Sequence, residues 1–201
     1  MKADLSPPTV AEEAPKRSRW LRETLVVVVV ALAAALLLRT FVVQTFYIPS
    51  GSMEPTLQIG DRILVNKLSY HLHGVDRGNI VVFRRPAAEN CGGPPVADLV
   101  KRVIGLPGET ISLSGGRVLI DGKLLDETWL PTSVQGTTFP GPSGTAYSLA
   151  KPYVIPSNHY FVMGDNRGDS CDSRYWGPIA KSLIVGKVDV RVWPITSFHF
   201  F

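Results

Sequence analysis

Between Leu25 and Leu38 the chain reads LVVVVVALAAALLL, 14 residues without one polar side-chain atom. Nothing else in the sequence restricts the fold so strongly. A helix apolar on every side needs a core around all of it, a larger one than the rest of the chain offers. Taken strictly, the run falls short of the ~20 residues that a bilayer requires. Carried through Arg39 and Thr40 to Val43 it reaches 19. Arg39 then sits near the far interface, where its long side chain reaches phosphates. A cleaved signal peptide also has a basic flank and a short apolar core. Here, however, the A-x-A triplets lie inside the apolar run, and Arg39 follows it. The preferred reading is an uncleaved signal anchor over residues 25–43.

Residues 1–24 are polar and Pro/Ala-rich without apolar periodicity, and they read as a disordered tail. Lys16, Arg17, Arg19 and Arg22 stand against Glu23 alone just before the apolar run. That bias keeps the N-terminus in the cytoplasm and sends residues 44–201 outside. The net charge of +4 is mild and no dense Lys/Arg tract occurs. Contact with anionic lipid accounts for it more simply than nucleic acid, which is not expected as a partner. Cys91 and Cys171 are the two cysteines. They lack the spacing and companions of a zinc site. They are read either as one disulfide of an oxidising compartment or as two free thiols.

Past Val42 the pattern changes to short apolar runs: FVVQTFYI, RILVNKL, NIVVF, DLVKRVIG, TISL, RVLIDG, HYFVMGD and LIVGKVDVRVW. Val, Ile and aromatics dominate them, and Gly, Pro, Asn and Asp separate them. A mainly β, antiparallel domain follows. SGGR and DGK predict tight hairpins. Residues 126–152 are loop-rich and read as a small excursion from the main sheet.

The densest punctuation is Ile48-Pro49-Ser50-Gly51-Ser52-Met53-Glu54-Pro55. Pro49 enforces an extended approach, Gly51 permits an unusual turn, and Pro55 stiffens the exit. Such a turn can present one hydroxyl, though polar turns between strands are common. A serine nucleophile needs a base. His71 and His73 lack an evident orienting acid, His159 precedes an apolar strand, His199 lies near the end, and no G-x-S-x-G elbow is present. Lys101 lies among apolar residues in Asp98–Gly105, where burial would lower its pKa toward that of a working base. A lysine pointing to solvent is the plain alternative. The loop from Gly164 to Gly177 gathers acids, hydroxyls and arginines. It lacks calcium-loop spacing. It reads as a self-bonded turn or as a support for the lysine.

F-Y-I-P-S-G-S-M-E-P-T-L, G-D-R-I-L-V-N-K, R-G-N-I-V-V-F, V-K-R-V-I-G-L-P-G-E and G-D-N-R-x-x-S-x-D-S-R-Y-W-G, in this order, resemble the boxes of bacterial type I signal peptidases. The resemblance implies a Ser/Lys endopeptidase of signal-peptidase-like β fold with one N-terminal transmembrane helix. It implies cleavage of signal peptides from exported preproteins at the outer face of the cytoplasmic membrane, without metal or cofactor. Membrane lipid and proximity to the secretion translocon come with it. By motif, Ser52 is the nucleophile and Lys101 the general base. Ser50 joins the Ser52 N–H in an oxyanion hole, Ser170 orients the lysine, and Asp172 with Arg174 supports that loop. Phe46, Ile48, Met53, Leu57, Leu99 and Val100 line the substrate cleft, and the peptide binds as an added strand.

The chain lacks the second anchor helix of many Gram-negative members and is similar to the compact Gram-positive or actinobacterial form. A Cys91–Cys171 bridge would brace the loop that carries Ser170. A self-cleaving Ser/Lys repressor would need a DNA-binding helix-turn-helix where the apolar run stands. A non-catalytic, membrane-tethered β-domain is the alternative from another class.

Overall fold

The computed structural model describes residues 16–92 and 96–201. Residues 1–15 of the expected tail lie outside them, as do the side chains of Arg39 and His71. The chain divides between Thr40 and Phe41 into two compact units.

The first unit is one helix, α1 (Lys16–Phe41), of 26 residues. It begins nine residues before the apolar run, so residues 16–24 of the expected tail are helical. The cause is local: no Gly or Pro interrupts 16–41, and Lys, Arg, Glu and Leu are sound helix formers. The described side chains from Trp20 to Leu36 are all exposed. The expected 25–43 span is cut short, because Val43 already opens the first strand. At 1.5 Å per residue the strictly apolar run covers only ~21 Å of a ~30 Å hydrocarbon layer. Among the described residues no helix is long and apolar enough to cross a membrane.

The second unit is antiparallel β throughout. Its elements are β1 (Val43–Tyr47), β2 (Arg62–Asn66), α2 (Ser69–Leu72), β3 (Ile80–Arg84), β4 (Asp98–Gly105), β5 (Thr110–Ser114) and β6 (Arg117–Ile120). β7 (Lys123–Leu124), β8 (Tyr153–Val154), β9 (His159–Met163), α3 (Ser173–Trp176), β10 (Ile179–Ala180), β11 (Ile184–Trp193) and β12 (His199–Phe200) complete it. Each of the eight expected runs contains a strand. The larger sheet has the order β1-β2-β11-β3-β4-β9-β10, with β12 beside β11, and the smaller is β7-β6-β5-β8.

Period-2 burial explains the layering. Ile63 and Val65 of β2 face a core shared with Ile80, Val82 and Val188, while Val81, Phe83, Val103 and Val162 form a second cluster. Ile104, Ile111, Val118 and Phe161 fill the space at the smaller sheet. Gly115 and Gly116, at φ 55° and 74°, close the SGGR hairpin between β5 and β6. Both values suit the left-handed two-residue turn that matches strand twist. Residues 126–152 join β7 to β8, so the excursion leaves the smaller sheet rather than the main one. Its Leu149 is buried in the cluster with Ile111 and Phe161.

β4 changes partner along its length. Asp98–Arg102 pairs with β3, and Arg102–Gly105 pairs with β9. On the β9 side, residues 98–101 have no strand partner among the described residues.

Candidate active site

Ser52 sits in a single 3-10 turn, Gly51–Met53, directly after β1. The turn is held at both ends. Ile48 N–H donates to Asp61 O and Gly60 N–H to Ile48 O, each at 2.9 Å. Met53 is buried beneath, and its carbonyl accepts from Leu57 N–H at 2.9 Å. From across the molecule Asn166 clamps the same turn: its backbone N–H donates to Ser52 O at 3.2 Å and its Nδ2 to Gly51 O at 3.1 Å.

Lys101 enters from the half of β4 that lacks a β9 partner. Its Nζ lies 2.6 Å from Ser52 Oγ and donates to Val100 O at 3.1 Å. The residue is 4% exposed. Burial lowers its pKa from 10.5 to about 8, although Asp172, Asp165 and Glu89 pull the other way. A buried amine of that pKa beside a hydroxyl can accept the hydroxyl proton near neutrality.

The loop after β9 is a buried network of paired charges. Arg174 Nε and Nη2 grip Asp172 at 2.8 and 2.7 Å, and both side chains are fully buried. Asp172 also accepts from Gly164 N–H at 3.0 Å. Burial by itself would raise the Asp172 pKa, but the Arg174 guanidinium and these hydrogen bonds hold it below the ordinary carboxylate value. Asp172 thus caps α3, accepting from Arg174 N–H at 3.2 Å. Arg174 stacks on the Phe139 ring at 4.4 Å and donates to Phe139 O.

Two further arginines have roles that the sequence did not announce. Arg102 forms a bidentate pair with Asp165 at 2.8 and 2.6 Å. Arg167 joins Gly164 O, Thr138 Oγ1 and the Glu127 carboxylate. Glu127, Thr138 and Phe139 all belong to the 126–152 excursion, which is therefore a prop for this loop. Gly164 was missed as well. A Cβ there would stand 2.2 Å from Ser170 Oγ and 2.3 Å from Ser52 O. The run G-D-N-R was the visible signal for both Gly164 and Asn166; the distant partners left none.

Ser170 is 2% exposed and its hydroxyl, buried beside Gly164, has no hydrogen-bond partner. The expected bond to Lys101 is not formed. Ser50 is extended, makes no cap bond, and lines the cleft beside Ser52. Cys91 and Cys171 form a disulfide with Cα atoms 6.2 Å apart. Among the described residues their sulfurs and Glu89 make the one cluster of potential metal ligands, and a disulfide offers no thiolate to a metal.

An apolar cleft of about 310 Å³ leads to Ser52 and Lys101, with Phe46, Ile48, Met53, Leu99 and Val100 in its walls. Leu57 is not one of them. It is fully buried in the core with Ile63 and Val65, because the turn after Ser52 folds it inward.

The family of signal peptidase, peptidase S26, matches residues 21–193. A signal peptidase I from Leptolyngbya laminosa is 39% identical over 190 residues, covering 94% of this chain and 88% of its own length. A signal peptidase IB from Staphylococcus aureus strain MRSA252 is 34% identical over 186 residues, 90% of this chain and 93% of that protein. A solved signal peptidase I from Enterococcus faecalis V583 is 28% identical with a TM-score of 0.42, over 58% of this chain and 97% of its own. By the family match and by identity across most of its length, the chain belongs to the signal peptidase, peptidase S26, family.

Proposed function

We propose that the protein is a membrane-anchored serine endopeptidase that removes signal peptides from exported preproteins. One observation carries this reading: a buried lysine amine lies 2.6 Å from a serine hydroxyl at the end of an apolar cleft. The relatives named signal peptidase I support the substrate.

Neutral Lys101 Nζ takes the Ser52 proton as Oγ bonds to the scissile carbonyl carbon. The carbonyl oxygen becomes an oxyanion, and Ser50 Oγ–H and Ser52 N–H are its donors, each worth ~3 kcal/mol in such a setting. As the C–N bond breaks, the lysine returns its proton to the leaving amine. Water, activated by the same amine, then releases the acyl group. Ser170 fixes the lysine by packing and, once substrate is bound, by its free hydroxyl. Asp172 and Arg174 hold Ser170 in place, and neither Glu127 nor Arg102 meets the substrate.

Phe46, Ile48, Met53, Leu99 and Val100 form the wall for small residues before the cut. The peptide adds as a strand along the open edge of residues 98–101, where backbone groups lack a sheet partner. The anchor is α1, with its basic flank in the cytoplasm and the β unit outside. Lipid is then a standing partner and the secretion translocon a neighbour.

The test is cleavage of a preprotein in detergent by wild type, Ser52→Ala and Lys101→Met. Both variants are expected to lose at least ~10³-fold in kcat/KM. Normal turnover by either would overturn the Ser52–Lys101 dyad, and no cleavage by the wild type would leave a tethered, non-catalytic β-domain as the better reading.

A further inference from the structure

A second cleft, also of about 310 Å³, opens from the same point as the apolar one. The two share Pro49, Ser50, Ser52, Val96, Leu99 and Lys101. Beyond those residues the second cleft changes character. Arg85, Glu89, Asp169 and the two half-cystines line it. Arg85 and Glu89 are ion-paired four residues apart, and Glu89 Oε1 accepts from Cys91 N–H at 3.1 Å. The disulfide fastens this self-braced turn to the residue next to Ser170. Asp169, also in its lining, is exposed.

A peptide laid across Ser52 Oγ continues on both sides of the bond that breaks. Small apolar residues before the cut suit the apolar cleft, so the chain after it passes into the polar one. The Glu89 carboxylate is already matched by Arg85, which leaves Asp169 to act on a passing charge. Resting on the proposed cleavage of signal peptides, we infer that the second cleft is the subsite for the residues that follow the cut bond. The Cys91–Cys171 disulfide sets its outer wall, and Asp169 favours a basic over an acidic side chain there.

Two substrates with the same residues before the cut separate this role from catalysis. One continues for several residues beyond the bond, and the other carries a coumarin amine in their place. Both are offered to the full chain in detergent, before and after reduction, and to Cys91→Ser/Cys171→Ser. The expected result is a fall on the order of tenfold in the ratio of the two kcat/KM values, peptide over coumarin amide. Asp169→Lys is expected to reverse the preference between Lys and Glu just after the cut. A ratio unmoved by loss of the disulfide, or a preference unmoved by Asp169→Lys, overturns the subsite. If the wild type cleaves neither substrate, the proteolytic reading itself fails, and the subsite with it.

Discussion

Lys101 is held by a hydroxyl and a carbonyl rather than by a carboxylate. Its three nearest acids act through space, and burial outweighs them. Two consequences belong to this one residue. Single-turnover cleavage should rise with pH through about 8 as one proton leaves the amine, and a flat profile would exclude a lysine base. The second consequence is a cost in stability. A folded-state pKa lowered from 10.5 to about 8 corresponds to roughly 3 kcal/mol. The unfolded chain binds the proton more tightly, so stability rises between these two values and the penalty is complete below pH 8. Lys101→Met should therefore raise the urea midpoint below pH 8, with the gain gone above 10.5. A midpoint difference independent of pH would contradict the burial penalty.

At the scale of elements, the loop after β9 and the excursion at 126–152 form one support. Gly164→Ala forces a methyl group against Ser52 O and Ser170. Moving either by about 1 Å is expected to cut kcat by ~10²-fold. Circular dichroism should show the β fold retained, which places the loss in the site. Glu127→Ala leaves the Arg167 guanidinium buried without its carboxylate, an expected loss of ~3–5 kcal/mol in chemical denaturation. The eight strands were legible because Val, Ile and aromatics recur between turn formers, and period 2 reports one buried face. Ser52 and Lys101 were legible through their boxes. The supporting role of the excursion was not, since Glu127 and Thr138 lie 40 and 29 residues from Arg167 in aperiodic chain. Leu57 was misplaced because an apolar residue after a catalytic turn looks alike whether it lines a cleft or fills a core. The end of α1 was also misjudged: Val42 and Val43 suit helix and strand equally well in isolation.

For the whole molecule, the C-terminal aromatics divide between surface and core. Trp193, Phe198 and Phe200 are more than half exposed, whereas Phe201 packs against the core of Ile48 and Met53. Exposed aromatics of this kind prefer a lipid headgroup layer. Brominated lipid should quench wild-type tryptophan fluorescence more than that of Trp193→Phe, and equal quenching would place Trp193 in water. The proposed anchor has its own check. Alkaline carbonate should leave the full chain in the membrane pellet, and extraction into the supernatant would overturn α1 as a span. β4 finally bears on how such an enzyme changes over generations. Residues 98–102, Lys101 included, pair with β3 and residues 102–105 with β9, so Arg102 alone has a strand on both sides. Substitutions at Leu99 and Val100, both in the cleft wall, are expected to alter which cargo is accepted while pairing with β3 keeps Lys101 in register. Under the proposed function, lineages can thus retune their secretome one residue at a time.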